Sequence, residues 1–285
     1  MTAQSLPVVA GNILESLQAH RLLTVQQLRA LHTPAARLRW IQEVMARLVA
    51  LELVSFVHAG GGARRVYYLT DHGHHALARP GQRPLRGGAA HAASALNAHT
   101  IAVNDVGLAF VTAARARGDE FGPLAWVHEI AHPIGTTPGR RAELVIADAM
   151  LTYLQHLKDG GMAFHYRFLE LDRATQPTAA LASKLARYAR LHTYTTKNNK
   201  EPQWHQSYPV FPEVLVILTG APTPALKRRA KTVLALCQAD ALLQRTPEVA
   251  VSIAVLDQLV EHGPWAEIFD RLGSDQPVPW TGDSA

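Results

Sequence analysis

Two carboxylates two residues apart, Glu170 and Asp172, close the apolar-rich run that begins at Phe164, and nine residues beyond Thr175 a lysine follows at Lys184. Carboxylates held side by side can bind Mg²⁺, and a cation beside them can orient or activate the water that attacks a phosphodiester. Side chains alternate along a strand, so a strand from Phe164 to Asp172 places Phe164, Tyr166, Phe168, Glu170 and Asp172 on one face. A helix from about Pro177 to Leu191 carries Leu181, Lys184, Leu185 and Tyr188 on one stripe, and Lys184 thus lies on the side that packs. The same residues admit two other readings. Glu170 or Asp172 could pair internally with Lys184 or Arg173 and pin helix to sheet without chemistry. Alternatively, the patch could dock phosphate or DNA without cleaving it.

The elements that must position these groups belong to a chain of 285 residues, 48% apolar, long enough to bury a sizeable core in two domains. No apolar run reaches the roughly 20 residues of a membrane helix, and Met1 to Ala10 lacks a basic stretch followed by an apolar one, so a cytoplasmic protein without membrane contact is expected. The single cysteine, Cys237, excludes an internal disulfide or a cysteine-based zinc cluster within one chain and is expected to serve in packing. A formal charge of +5 and a pI near 9.5 favour an anionic partner. Arginines cluster in the first third, at Arg37, Arg39 and Arg47, at Arg64 and Arg65, and at Arg83 and Arg86. Arginine-rich chains can also be basic without touching DNA.

Residues 1–79 read as a winged helix. Gly11 to Ala19 carries an Ile13, Leu14 and Leu17 stripe. Thr24 caps Val25 to Leu31 with Gln27 as its capping-box partner, and Thr33-Pro34 is expected to open a third helix. There Leu38, Ile41, Met45 and Leu48 mark the buried side, and Arg39, Glu43 and Arg47 the opposite one. Leu53 to His58 and Arg65 to Leu69 form a hairpin around Gly60-Gly61-Gly62. Val66 to Gly73 resembles the "Y-x-L-T-x-x-G" exit of winged-helix regulators, with Thr70 as a cap. DNA contacts are expected from Arg37, Arg39, Gln42 and Arg47 in a major groove and from Arg64 and Arg65 on phosphate or in a minor groove. A winged helix used for protein contacts is the alternative.

Pro80 to Gly88 breaks every periodicity, which makes 80–90 a linker. Residues 91–270 read as an α/β domain: a long helix from His91 to Arg117, strands at Leu124–Ile130, Ala142–Leu151 and Ala163–Leu171, then the helix over Pro177–Leu191. A buried central strand at Val214–Thr219, a helix at Pro224–Gln238 bearing Lys227, Arg228, Arg229 and Lys231, and a strand at Val249–Leu256 follow. Residues 271–285 are expected to be a loose, flexible tail.

Helix, three strands, helix, strand is the order of the restriction-endonuclease-like core, labelled PD-(D/E)xK. With the winged helix, the Trp126-to-Glu129 strand, Asp148 in the second strand, "E-L-D-x-x-T" from Glu170 and "K-L-x-x-Y" from Lys184, the chain resembles the replication-relaxation family, which includes MobC-like plasmid mobilisation proteins. The resemblance covers roughly residues 10 to 220. It implies a bacterial accessory protein that binds double-stranded DNA in plasmid or mobile-element replication, relaxation or mobilisation, with a relaxase or replication protein as a partner and a homodimer as a possible state. It matches Asp148 to the aspartate of the "P-D" element, with Ala147 in place of the proline, Glu170 and Asp172 to the acidic pair, and Thr175, Lys184 and Tyr188 to the turn and helix positions. Ala174 stands where a glycine is common. The alternative enzyme would be a Mg²⁺-dependent nuclease with Asp148, Glu170, Asp172 and Lys184 as catalytic residues and Asp148 and Glu170 on the metal. Against it, Asp172 occupies the position of the nuclease lysine, a role Lys184 would have to supply from the helix. A transcription regulator is a further alternative.

His128-Glu129-Ile130-Ala131-His132 matches the zinc-protease pattern H-E-x-x-H, which needs both histidines one helical turn apart. Pro133 and the residues from Gly122 to Val127 favour a strand instead, in which His128 and His132 stand about 13 Å apart, too far for one zinc. His72, His74 and His75 read as a solvated helix start, and Lys197 to Glu201 as a polar loop within reach of DNA.

Overall fold

The structure is a computed structural model that describes residues 6–59, 64–78, 97–135, 142–196 and 200–282. The chain divides into two compact units, residues 1–111 with 122–124, and residues 112–121 with 125–285. Among the described residues no helix is long and apolar enough to cross a membrane.

In the first unit, helices α1 (Val8–His20), α2 (Val25–His32) and α3 (Leu38–Ala50) are joined by a short strand β1 (Leu23–Thr24) and followed by β2 (Val54–His58), β3 (Arg65–Leu69) and α4 (Asp71–Leu77). The three strands pair antiparallel in the order β1-β3-β2, the winged-helix arrangement of a hairpin whose second strand is shared with a strand between the first two helices. Thr24 and Gln27 form the expected capping box at α2. Ile13, Leu17, Leu28, Ile41, Met45, Leu48 and Val66 are each buried, at positions the helical and strand periods select, and Val66 packs with Leu22 and Ile101.

Two boundaries differ from the sequence reading. Thr33-Pro34 does not open α3, because Arg29 donates to the carbonyls of Pro34 and Ala36 and holds these residues in a turn, so the helix starts at Leu38. The proposed linker 80–90, with Arg83 and Arg86, lies outside the described residues, as do the wing-tip glycines. The next helix, α5 (Asn97–Arg117), belongs to the first unit as far as Val111: Gln27 donates to Ile101 O and Asp105, and Asn104 donates to Leu22 O. The division between units therefore falls inside α5, where no break in composition could announce it.

The second unit is built on a six-stranded sheet in the order β4-β5-β6-β7-β8-β9, with β4 Trp126–Gly135, β5 Glu143–His156, β6 Met162–Asp172, β7 Glu213–Leu218, β8 Val251–Val255 and β9 Asp270–Arg271. Strands β4, β5 and β6 are antiparallel, and β6, β7 and β8 are parallel. The parallel strands need crossovers, supplied by α6 (Thr178–Thr193) and by α7 (Thr223–Ala239) with the short α8 (Ala241–Gln244). Helices α6 and α7 pack with Phe168, Val214, Val216 and Ile253 in one core, and β7 and β8 are almost wholly apolar, as strands covered on both faces must be. Helix, three strands, helix, strand is thus the restriction-endonuclease-like order, extended by β8.

The expected loose tail is instead folded through residue 282. After α9 (Leu256–His262), β9 pairs with β8, Phe269 bridges Val278, and Trp280 is 1% exposed against Tyr153, His165 and Trp265. Burial of this one indole outweighs the polar, proline-containing surroundings from which the sequence reading inferred looseness.

The turn leaving β6 is tight. Ala174 sits at φ +56, its N–H donating to Asp172 Oδ1, and a Cβ at Gly220, φ +86, would meet Arg173 O at 2.5 Å. Left-handed backbone costs a non-glycine residue about 1–2 kcal/mol. Ala174→Gly is therefore expected to be neutral or to stabilise by about 1 kcal/mol once the added freedom of the unfolded chain is counted, whereas Gly220→Ala should destabilise by about 2 kcal/mol or more. Urea unfolding tests both, and a Gly220→Ala protein as stable as the wild type would contradict the close approach.

Candidate functional site

Glu170, two residues before the end of β6, points into the core beneath α6 with a side chain 2% exposed. Its Oε2 accepts from Lys184 Nζ and its Oε1 from the Tyr188 hydroxyl at 2.5 Å, both on the packed stripe of α6. Lys184 Nζ also lies 3.8 Å from Asp148 Oδ1, and Asp148 Oδ2 accepts from Leu171 N at 2.8 Å. Asp148, Glu170, Lys184 and Tyr188 are thus brought together.

Asp148 shares the α6 face with Met150, two residues on, and next to it the sheet reverses locally. Val145 and Ala147 share the α6-facing core with Met150, although strict alternation would put Ala147 and Met150 on opposite faces. The reversal falls where β4 and β5 skip a pair between His128↔Ala149 and Ile130↔Ala147, with Glu129 at φ +53 opposite Asp148. Positive φ at a residue other than glycine bends β4 there, and the two strands exchange faces together.

Asp172 is separated from this group. Its carboxylate accepts from Arg229 Nε at 2.5 Å, and Arg229 Nη2 donates to Gln176 O, so an arginine from α7 holds the acid that stands in the nuclease-lysine position. Both side chains of this pair are about nine-tenths buried. The cation is neither Lys184 nor Arg173, the two that the sequence offers, but Arg229, which the sequence marks only by its place in the Lys227–Lys231 cluster. Thr175 is exposed in the turn.

Burial, and after it the Asp148 charge, push the Glu170 carboxyl up to about 8 against the opposing pull of Lys184 and Tyr188. The Tyr188 hydroxyl is in turn raised well above its ordinary range by burial and by Glu170. The set does not fit a Mg²⁺ ion as arranged: both oxygens of Glu170 and one of Asp148 already accept hydrogen bonds, and Asp172 is held by Arg229. Among the described residues no group of three or more His, Cys, Asp or Glu side chains is placed to hold a metal.

The H-E-x-x-H residues lie on β4, so the helical geometry required for zinc ligation is absent. His132 bonds Tyr208 Oη at 2.9 Å and packs edge-on against Phe168, and burial lowers its basicity. His72 and His75 are exposed at α4, but His74 is buried, correcting the picture of a uniformly solvated cluster. Lys197, Asn198 and Asn199 lie outside the described residues.

In the first unit, Gln42 from α3 and Arg64 and Arg65 from the start of β3 line one groove of about 510 Å³, floored by Val25, Phe56 and Tyr67. The Arg65 guanidinium lies 4.4 Å from the centre of the Phe56 ring. Arg37, Arg39 and Arg47 are exposed at or along α3 and do not line this groove, and Arg39 pairs with Glu43 at 3.2 Å. An exposed tryptophan beside them, Trp40, escaped the sequence reading.

Fold and site define a winged-helix protein joined to a restriction-endonuclease-like domain whose acids are engaged in internal pairs. The chain belongs to the replication-relaxation family, whose pattern matches residues 14–203, well over half its length, and this ties it to a replication- or relaxation-related role. Comparison with curated proteins finds no match. Among solved structures, that of the restriction endonuclease FokI bound to DNA is similar over 90% of this chain and 44% of that one, at 12% identity and a TM-score of 0.27. The chain spans less than half the length of that protein, and the likeness is too slight to bear on function.

A carboxyl that keeps its proton to about pH 8 when folded, but loses it near 4.5 when unfolded, gives the folded state the extra proton between those values. Stability must then fall as pH rises across that window. Glu170→Gln, which keeps an uncharged side chain there, is expected to flatten this fall in urea unfolding at pH 5 and pH 8. A wild-type stability that holds level or rises relative to the variant would mean that Glu170 is ionised against Lys184.

Proposed function

We propose that the protein is a bacterial DNA-binding accessory factor that engages double-stranded DNA through its winged helix in plasmid or mobile-element replication, relaxation or mobilisation, and that its restriction-endonuclease-like unit does not cleave DNA. The observation that carries this reading is the groove where Gln42 on α3 meets Arg64 and Arg65 on the wing. An amide on the helix can read a base edge, and guanidiniums on the wing can neutralise phosphates. Arg39 and Arg47 on the exposed side of α3 extend the same charge. The family's link to replication and relaxation supplies the setting, with a relaxase or replication protein as the partner it implies.

The absence of cleavage is inferred from the occupied oxygens of Glu170 and the Asp172–Arg229 pair, which leave no opening for two-carboxylate metal chemistry. Arg64→Ala with Arg65→Ala should weaken duplex binding about uniformly across sequences and lower the slope of log affinity against log salt by about 1 per residue. Gln42→Ala should instead relax discrimination between sites. Supercoiled plasmid should remain uncut with Mg²⁺ or Mn²⁺, and nicking that requires the ion and vanishes in Glu170→Ala would overturn the non-cleaving reading.

A further inference from the structure

We propose that the second unit carries its own contact surface for the DNA phosphate backbone, formed by Lys227, Arg228 and Lys231 on α7, with Arg173 at the end of β6 as a flanking cation. The two helices over the sheet contain seven lysines and arginines, Lys184, Arg187, Arg190, Lys227, Arg228, Arg229 and Lys231, and no aspartate or glutamate. An ordinary solvated helix mixes both signs, because opposite charges three or four residues apart stabilise it and like charges destabilise it. A one-signed helical layer therefore works against local helix stability unless anions outside the helices offset it.

Four of the seven are already engaged. Lys184 bonds Glu170, Arg187 bonds Leu144 O, Arg190 bonds Glu143, and Arg229 bonds Asp172. Lys227, Arg228 and Lys231 have no ion pair among the described residues, and Arg228 and Lys231 are exposed. Their spacing, four residues from Lys227 to Lys231 and three from Arg228, puts them on one side of the helix within about 6 Å along its axis. The Asp172–Arg229 pair fixes α7 against the end of β6, where Arg173 adds a further charge beside the same turn. The nearest carboxylate further along, Asp240, caps α8 at the far end of α7.

This surface suits a polyanion with closely repeated charge. Duplex DNA presents one negative charge per about 1.7 Å of axis, and cations that neutralise it gain from counterion release. The surface is separate from the winged-helix groove and does not require that reading to hold.

The full-length triple variant Lys227→Ala/Arg228→Ala/Lys231→Ala is compared with wild type for binding to a random-sequence duplex between about 50 and 200 mM salt, with thermal unfolding as the check on folding. The expected result is a salt slope lower by about 3, roughly 1 per cation removed, and about tenfold or greater weakening, with a melting transition unchanged or raised, since like-charge repulsion on the helix is relieved, and no change in Arg245→Ala, a control at another exposed arginine. The variant is also placed on Arg64→Ala/Arg65→Ala. A loss that persists there supports an independent surface even if the winged-helix variants alone show no effect. An unchanged slope in a folded triple variant overturns the proposal. So does loss of binding to anionic-lipid vesicles with duplex binding intact, which would assign the patch to a membrane surface.

Discussion

The second unit depends on the buried carboxyl of Glu170. Taken alone, such a group under a helix is costly, since neither charge nor hydrogen-bonding capacity can be left unmatched in the interior. Lys184 and Tyr188 match both oxygens from successive turns of α6, so helix and strand are fixed in one relative position by polar contacts that tolerate little sliding. The apolar core around them, from Phe168 to Leu185, adds attraction that is non-directional, whereas the hydrogen bonds fix both distance and angle. Lys184 also faces Asp148, and the raised Glu170 keeps the three groups from leaving two uncompensated negative charges in the pocket.

The reversal of strand facing at Glu129 and Asp148 follows from the same constraint. Strict alternation from Met150 already places Asp148 on the α6 face with Glu170 and Lys184, but it would turn Val145 and Ala147 away from that core. The bend at Glu129 lets Asp148 satisfy Leu171 N and approach Lys184 while Val145 and Ala147 remain under α6. Strained backbone beside a cluster of charged groups is a common signature of a site, and here its result is a matched polar knot under α6.

Much of this was legible in sequence because it rests on short-range periodicity. The capping box at Thr24, the buried stripes of α3 and α6, the apolar β7 and the shared face of Glu170 and Phe168 all follow from the 3.6 and 2.0 periods. Long-range matching was not legible. Arg229 meets Asp172 across 57 residues, and Trp280 meets Tyr153 across the sheet, with no local pattern in either case. Phe164 lies on the same side of β6 as Phe168 yet is exposed, since alternation fixes the side of a strand and cannot say how far the covering helix extends.

The Asp172–Arg229 pair links the interior of this unit to its surface. An acid in the nuclease-lysine position reverses the local charge, and a cation must come from elsewhere to match it. It comes from α7, whose next exposed side chains are also cations. One turn of one helix thereby spends an arginine on the fold and leaves its neighbours facing solvent. Carboxylates engaged in internal pairs leave the cations around them as the groups that face solvent, and exposed cations attract anions. The arrangement of charge in this unit is therefore the one that the proposed DNA-holding, non-cleaving role calls for.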